Sequence, residues 1–256
     1  MDYAQAALLG LLQGLTEFLP ISSSAHLVLL PWALGWKYQG LAFDVALHWG
    51  TLLALVICFW RQWRQLLLSG LKRDGTVNSR LFWGIVLGTI PAVIAGLALE
   101  DRVETVFHDP KPIALTLMAF GILLGLADLK AVQSKGLDGL NLKTCLLIGL
   151  AQAVALVPGV SRSGITITAA LFLGLNREAA ARFSFLLAVP VVLGAGLLEI
   201  AKIGPDIAAV PFGIGIATSA ISGYLAIQFL LAYVRTKNLN VFVLYRLAIG
   251  VLLFFL

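Results

Sequence analysis

The chain has 256 residues, of which 60% are hydrophobic and only 12% are charged, and its mean hydropathy is +0.95. Soluble domains carry about 25% charged residues, so this composition excludes a soluble globular domain and equally a disordered chain. We therefore expect one all-α integral membrane domain over residues 1–256. The net charge of +5 does not indicate nucleic-acid binding, because the basic residues lie in short connections between apolar segments.

The cysteines and the N-terminus argue against a disulfide or zinc protein and against a cleaved signal peptide. The two cysteines, Cys58 and Cys145, both lie inside apolar runs, so neither a disulfide framework nor a zinc site is predicted. The N-terminus, MDYAQAALLG, has no basic region and no small-residue cleavage site. A removed signal peptide is therefore not expected.

The first apolar stretch, residues 4–34, is interrupted by EFLPISSSAH between Glu17 and His26. Residues 144–175 are interrupted in the same way by VPGVSRSGIT, between Val157 and Thr166. Each half is shorter than the roughly 20 residues that a spanning helix needs. Broken helices at membrane depth are tolerated only where they are buried in protein or line a wet cavity. We interpret both stretches as re-entrant helical hairpins whose tips meet near the middle of the bilayer.

Six other stretches are apolar enough to span the membrane, although some are short. In chain order they are residues 41–60, 81–99, 113–127, 183–201, 211–234 and 241–256. The predicted fold is thus about six transmembrane helices plus two re-entrant hairpins.

The two interrupted stretches match each other at one fixed offset along the chain. The matched pairs are Gly10 with Gly149, Leu11 with Leu150, Gln13 with Gln152, Ser22 with Ser161, Ser24 with Ser163, and Leu34-Gly35 with Leu173-Gly174. Paired interrupted segments indicate an internal repeat with a site at its interface. The predicted halves are about 1–127 and 140–256.

The basic residues predict the orientation. If 61–80 faces the cytoplasm, so do 128–143, 176–182 and 235–240. Twelve basic residues then lie inside: Arg61, Arg64, Lys72, Arg73, Arg80, Lys130, Lys135, Lys143, Arg177, Arg182, Arg235 and Lys237. Four lie outside, namely Lys37, Arg102, Lys111 and Lys202. This bias follows the positive-inside rule. It places both termini outside and gives the two halves inverted topology.

Ionisable residues at membrane depth indicate function by default. Asp44 and His48 lie four residues apart on the first span, and we favour a structural pairing with each other or with a neighbouring helix. His108 lies in the acidic outer segment 100–112, where we expect it to be solvated.

The first break holds several reactive groups. Gln13 and Glu17 project from one face of the first half-helix, and the chain then turns at Pro20. Ser22, Ser23 and Ser24 follow where a new helix begins, so one of them can serve merely as an N-cap. His26 lies three residues after Ser23, a spacing that suits a serine activated by a general base.

The second break resembles an anion site. Pro158 and Gly159 end one half-helix, and Ser161-Arg162-Ser163 opens the next. Helix starts carry unsatisfied N–H groups, and arginine adds a planar cation that fits phosphate oxygens. Ser161, Ser163 and Thr166 add hydroxyl donors. Glu17 would repel such an anion unless a divalent cation bridges them, which predicts a metal-assisted phosphate reaction.

These residues carry a resemblance to a known family. QGLTEFLPISSSAH resembles its (E/Q)-x-x-x-E stretch and the following P-x-S-S/T-x-x-H, and PGVSRSGIT resembles its P-G-x-S-R-S-x-x-T. FDVALHWGTLLA and GTIPAVIAG are similar to its spans, so that the resemblance covers essentially the whole chain. The family is the undecaprenyl-diphosphate phosphatases, also called bacitracin-resistance proteins.

The resemblance implies a multi-pass hydrolase of the bacterial plasma membrane whose site opens to the outer, periplasmic face. It would convert undecaprenyl diphosphate to undecaprenyl phosphate and inorganic phosphate, which recycles the lipid carrier of peptidoglycan synthesis. A divalent cation, Mg²⁺ or Ca²⁺, is the implied cofactor. The sequence leaves the oligomeric state open, a homodimer included.

The resemblance also implies roles for individual residues. Glu17 would assist metal binding and proton transfer, Ser23 would be the nucleophile, His26 its base or acid, and Arg162 the diphosphate clamp. Substrate contacts would come from Gln13, Ser22, Ser24, Ser161, Ser163 and Thr166. The family often has Glu where this chain has Gln13, so only an amide oxygen would help Glu17 to hold the metal.

Two alternatives stay open at this point. His26 could activate water directly, without a covalent step on Ser23. A lipid-carrier or small-anion transporter would also use inverted repeats with broken helices. We favour an enzyme, because transport needs no activated nucleophile.

Overall fold

The computed structural model describes residues 2–106, 110–200 and 209–255, although the side chains of 100–106, 110 and 199–200 stay outside the description. His108 and Lys202 therefore lie outside the described residues, and the side chain of Arg102 lies outside the description. The described residues contain no strand, and their α-helices are α1 Tyr3–Phe18, α2 Ser23–Ala33, α3 Leu41–Lys72, α4 Val77–Val106, α5 Pro110–Lys130, α6 Leu142–Ala153, α7 Arg162–Phe172, α8 Arg177–Ile200, α9 Ala209–Val234 and α10 Asn240–Phe255. The all-α membrane fold is confirmed.

Among the described residues, five helices are long and apolar enough to cross a membrane, namely α3, α4, α5, α8 and α9. The sixth predicted span, α10, has 16 residues and reaches about 24 Å at 1.5 Å per residue, so it is short for a crossing. The first span was predicted to end at 60, whereas α3 continues to Lys72 through a kink at Phe59. The connection predicted over 61–80 is therefore only 73–76.

Both interrupted stretches form helix–break–helix hairpins. In the first, α1 and α2 pack against each other around the break at 19–22. In the second, α6 is followed by a 3₁₀ turn at Val154–Leu156, and α7 packs back on α6. Pro20 lies at the first break, and the second holds Pro158 and Gly159, whose φ of 86° is left-handed backbone that ends the helix.

The backbone of the two hairpins agrees at the positions that the predicted offset pairs. Ser22 and Ser161 have φ of 76° and 72°, and Gly35 and Gly174 have φ of 64° and 92°. Left-handed backbone at a serine is uncommon, so its occurrence at both matched positions supports the repeat. The repeat boundaries stay a prediction.

Each hairpin packs its first helix against a long helix of the other half. Helix α1 lies on α9, and α6 lies on α4. Close approach requires glycine on both: a Cβ on Gly14 would lie 2.0 Å from the Ser222 hydroxyl, and one on Gly149 would lie 2.2 Å from the Gly88 carbonyl oxygen. Such small-residue contacts are the usual way in which membrane helices approach.

The core runs through the middle of the bundle along α8, where Phe183, Phe185 and Leu186 are fully buried. Outward-facing positions are apolar as well, for example Ile94 on α4, which is 62% exposed. Lipid-facing helices have this pattern. The core therefore surrounds the hairpin tips and holds them away from lipid.

Candidate active site at the hairpin tips

Glu17, near the end of α1, is the centre of the candidate site. Its Oε1 lies 2.7 Å from Nη2 of Arg162. Its Oε2 accepts the Ser23 hydroxyl at 2.5 Å and the Gln13 amide at 3.2 Å, and lies 3.5 Å from Nε2 of His48. The sequence expected Glu17, Ser23 and Arg162 to meet, and the structure brings them together across 145 residues of chain.

Ser23 and Arg162 occupy matching places in the two hairpins. Each is the first residue of its second half-helix, and each follows a serine with left-handed backbone, Ser22 or Ser161. Such backbone costs on the order of 1–3 kcal/mol and tends to occur at functional sites. One hairpin thus presents a hydroxyl where the other presents a guanidinium.

The remaining tip serines form two similar hydroxyl pairs. Ser22 lies 3.2 Å from Ser24, and Ser161 lies 3.3 Å from Ser163, measured between their oxygens. The Ser161 hydroxyl also accepts the Gly164 N–H and so caps α7, whereas the Ser22 hydroxyl makes no capping bond to α2. The N-cap role considered for the serines of the first hairpin is therefore not found at Ser22, and the serine cap occurs at Ser161 of the second hairpin instead.

A cavity of about 240 Å³ opens beside these groups. Its wall contains Glu17, Ser22, Ser23, Ser24, Val45, His48, Ala155, Ser161, Arg162, Val191, Val192, Ala195 and Gly196. The walls contributed by α3 and α8 come from the N-terminal part of α3 and the C-terminal part of α8. These two helix ends lie on the side that the charge distribution predicts to be outside.

Two of the predicted phosphate donors point elsewhere. Ser163 donates to the Leu19 carbonyl at 3.1 Å and so joins the two tips. Thr166 is fully buried and lies 2.7 Å from the Ser184 hydroxyl. Neither belongs to the described cavity wall, because both are used to hold the tips and α8 together.

The described hydrogen bonds of the His26 ring do not include the Ser23 hydroxyl. Its Nδ1 lies 2.6 Å from the Ser22 carbonyl oxygen, and its Nε2 lies 2.7 Å from the Tyr245 hydroxyl. The sequence spacing suggested an imidazole beside the Ser23 hydroxyl, but α10 supplies a partner that local spacing could not reveal. The base that does contact Ser23 is Glu17.

His48 follows the expected pairing with a neighbouring helix, whereas the side chains of Asp44 and His48 do not pair with each other. His48 bonds the Asp44 carbonyl through Nδ1 at 2.7 Å, which leaves Nε2 facing Glu17. The Asp44 carboxylate accepts the Tyr38 hydroxyl instead. His48 therefore lines the cavity, and its partner is a side chain on α1.

Arg246 is a residue that the sequence interpretation missed. It is fully buried on α10 and donates to four carbonyl oxygens, those of Pro20, Leu117, Gly159 and Val160. Three of these belong to the hairpin tips. The signal was present, since an arginine inside the apolar run 241–256 is expensive unless it is paired.

The candidate site offers few protein ligands for a metal ion. Among residues 2–99, 111–198 and 209–255, no group of three or more His, Cys, Asp or Glu is placed to hold an ion. Both Glu17 oxygens already accept hydrogen bonds, but the Gln13 Oε1 is buried without a partner. Two protein oxygens fit Mg²⁺ only if phosphate and water supply the other ligands, which is how Mg²⁺ is commonly bound.

Fold and site together define a helical membrane protein with a serine–carboxylate–arginine cluster where two broken helices meet. The chain matches the family described as bacitracin resistance protein BacA over residues 6–252. It is 50% identical over 250 residues to an undecaprenyl-diphosphatase of Pelotomaculum thermopropionicum, covering 98% of this chain and 95% of the relative. A Geobacter sulfurreducens undecaprenyl-diphosphatase is 54% identical over 259 residues, covering 98% and 96%. The chain belongs to the bacitracin resistance protein BacA family.

Proposed function

We propose that this protein hydrolyses undecaprenyl diphosphate to undecaprenyl phosphate and inorganic phosphate in the bacterial plasma membrane. Relatives similar over nearly the whole chain are named undecaprenyl-diphosphatase. The observation that carries the proposal is the Ser23 hydroxyl, which lies 2.5 Å from a buried carboxylate beside Arg162. This activity returns the lipid carrier to cell-wall synthesis and so confers resistance to bacitracin.

The diphosphate would bind at the two tips. Arg162 offers a planar guanidinium at the cavity wall, and phosphate oxygens can replace part of its pairing with Glu17. The start of α2 has no side-chain cap at Ser22, so its first N–H groups are free to bind an anion. Ser22, Ser24 and Ser161 add hydroxyl donors at the same wall.

Ser23 is the proposed nucleophile and Glu17 the base. As the Ser23 oxygen bonds to the terminal phosphorus, its proton passes to Glu17, and the bridging P–O bond breaks to release undecaprenyl phosphate. Water then attacks the phosphoserine, inorganic phosphate leaves, and the proton on Glu17 returns to the serine oxygen. Direct attack by water is the alternative, and a Ser23→Ala variant with full activity would favour it.

A divalent cation, Mg²⁺ or Ca²⁺, would be held by Glu17 and the Gln13 Oε1 together with phosphate oxygens. When bound, it would neutralise phosphate charge and so lower the electrostatic barrier to phosphoryl transfer. The unpartnered Gln13 oxygen supports this proposal, because a buried carbonyl group without a donor is costly.

The polyprenyl tail would lie in a second, apolar cavity of about 390 Å³. This cavity is lined by Trp63 of α3, by α4 between Phe82 and Ile94, and by Pro190 of α8. Pro190 directly precedes Val191, which belongs to the wall of the polar cavity. Helix α8 therefore contributes to the walls of both cavities, which is consistent with a headgroup in one and its tail in the other.

The site would open to the outer face of the membrane. Basic residues cluster at 61–80, 128–143, 176–182 and 235–240, and the polar cavity lies toward the opposite ends of α3 and α8.

A homodimer stays a prediction, for which light scattering of the purified protein in detergent is the measurement.

Phosphate release from undecaprenyl diphosphate by the purified protein in detergent tests the function. We expect release by the wild type, a strong decrease with chelator, and loss of activity in Glu17→Gln. Asp74→Asn, on the exposed turn between α3 and α4, is the matched control and should behave as wild type. A folded wild type that releases no phosphate with Mg²⁺ or Ca²⁺ would refute the proposal.

Transport of a lipid carrier or small anion is the second candidate. The matching left-handed backbone at Ser22 and Ser161 supports an inverted repeat, which is typical of transporters. Hydrolysis in detergent distinguishes the two functions, because transport needs a sealed bilayer. Transport without hydrolysis in proteoliposomes would favour the second candidate.

A further inference from the structure

His26 is held from both sides of its ring. Nδ1 lies 2.6 Å from the Ser22 carbonyl oxygen on its own helix start, and Nε2 lies 2.7 Å from the Tyr245 hydroxyl on α10. The two rings also stack, with centroids 5.7 Å apart and planes 12° from parallel. The imidazole is therefore fixed in both position and orientation.

These partners determine which nitrogen carries the proton. A carbonyl oxygen only accepts, so Nδ1 must be the protonated nitrogen. In a neutral ring Nε2 then has a lone pair, which accepts the Tyr245 O–H. Neither nitrogen is directed at Ser23, whose hydroxyl donates to Glu17.

We infer that Tyr245 is a positioning residue, which holds the His26 ring in place by donating to Nε2 and through it fixes the tip that carries Ser23. The carbonyl held by His26 belongs to Ser22, which has left-handed backbone and directly precedes Ser23. Strained backbone persists only where its surroundings hold it. Tyr245 thus acts at the nucleophile through two hydrogen bonds, and His26 serves as a brace. The inference rests on the proposed phosphatase activity for its kinetic test.

Tyr245→Phe is the test, because it removes one hydroxyl and keeps the stacked ring. We expect kcat for undecaprenyl diphosphate to fall about tenfold, equivalent to one neutral hydrogen bond, with KM changed less than about twofold. Tyr233→Phe is the control, because the Tyr233 ring lies at the C-terminal end of α9 and packs against Phe229 and Phe242. It should match the wild type.

Nitrogen-15 NMR of histidine-labelled protein supplies a readout that does not depend on activity. The chain has three histidines, and His26→Gln assigns the signal. In the wild type we expect the Nδ1–H form, with an Nε2 signal shifted upfield because this nitrogen accepts the Tyr245 hydroxyl. In Tyr245→Phe we expect the same tautomer, with the Nε2 signal moved downfield by the loss of that hydrogen bond. An Nε2–H ring in the wild type would overturn the inference even if no variant folds. So would a Tyr245→Phe protein with unchanged kcat or an unchanged Nε2 chemical shift. A wild type without phosphatase activity would instead refute the proposed function and leave the NMR test standing.

Discussion

Arg162 has a structural role and a catalytic role, because its guanidinium neutralises Glu17 and also faces the cavity. Substitution of Arg162, alone and together with Glu17, distinguishes the two roles. Glu17 has only 6% of its side chain exposed, and Arg162 contacts it at 2.7 Å. Removing one partner of a buried pair leaves the other charge uncompensated and typically costs about 3–5 kcal/mol. We therefore expect Arg162→Met to lower the melting temperature on the order of 10 °C.

Neutralising both partners should restore stability but not catalysis. In Arg162→Met with Glu17→Gln no buried charge remains, so the melting temperature should return to within a few degrees of the wild type. Loss of one electrostatic contact to the transition state typically costs about 10²–10³ in kcat. We expect at least that loss in Arg162→Met, and a larger loss in the double variant.

The assay combines thermal unfolding in detergent with phosphate release measured well below the melting temperature of each variant. Arg182→Met is the matched control, because Arg182 pairs with Glu178 at a half-exposed position away from the cavity. Near-normal turnover by folded Arg162→Met would refute the clamp. A double variant no more stable than Arg162→Met would refute the buried-charge argument.

Three shorter predictions follow from the same structure. Ser23→Ala should lower kcat at least about 10³-fold and abolish labelling of the protein by substrate carrying a radioactive terminal phosphate; retained labelling would contradict the assignment. Gly14→Val should prevent the close contact of α1 with α9, since even a Cβ would lie 2.0 Å from the Ser222 hydroxyl, and gel filtration should show aggregation in place of a monodisperse peak. Val93→Trp should raise KM for undecaprenyl diphosphate more than for farnesyl diphosphate, whereas Leu97→Trp, outside the apolar cavity, should change neither; equal effects on both substrates would exclude the proposed tail site.

Much of the fold follows from hydropathy and from the two breaks. Polar residues inside apolar stretches cost free energy in lipid unless they line a wet cavity. This requirement predicted both hairpins and the meeting of Glu17, Ser23 and Arg162. Span ends were less accurate, because α3 continues as a helix beyond the apolar region to Lys72. Helix propensity and membrane depth are separate properties, and hydropathy reports only the second.

Side-chain direction within the site could not be obtained from spacing. His26 lies one turn after Ser23, yet its ring turns to Tyr245, which is 219 residues further along the chain. Ser163 and Thr166 belong to the predicted anion motif but hold Leu19 and Ser184 instead. Each of these partners lies on another part of the bundle, and residue spacing within one helix does not show which side chains of other helices become its neighbours.

The position of Arg246 has a consequence for how the protein is made. Carbonyl groups of both hairpin tips depend on this one side chain, and it lies in α10, which leaves the ribosome after both hairpins. The chain up to Leu239 can enter the bilayer with both hairpins present, but their exposed carbonyl groups stay without this donor until α10 arrives. Catalytic competence therefore comes only after α10 has been made. A chain truncated before α10 would contain Glu17, Ser23 and Arg162 but should be inactive.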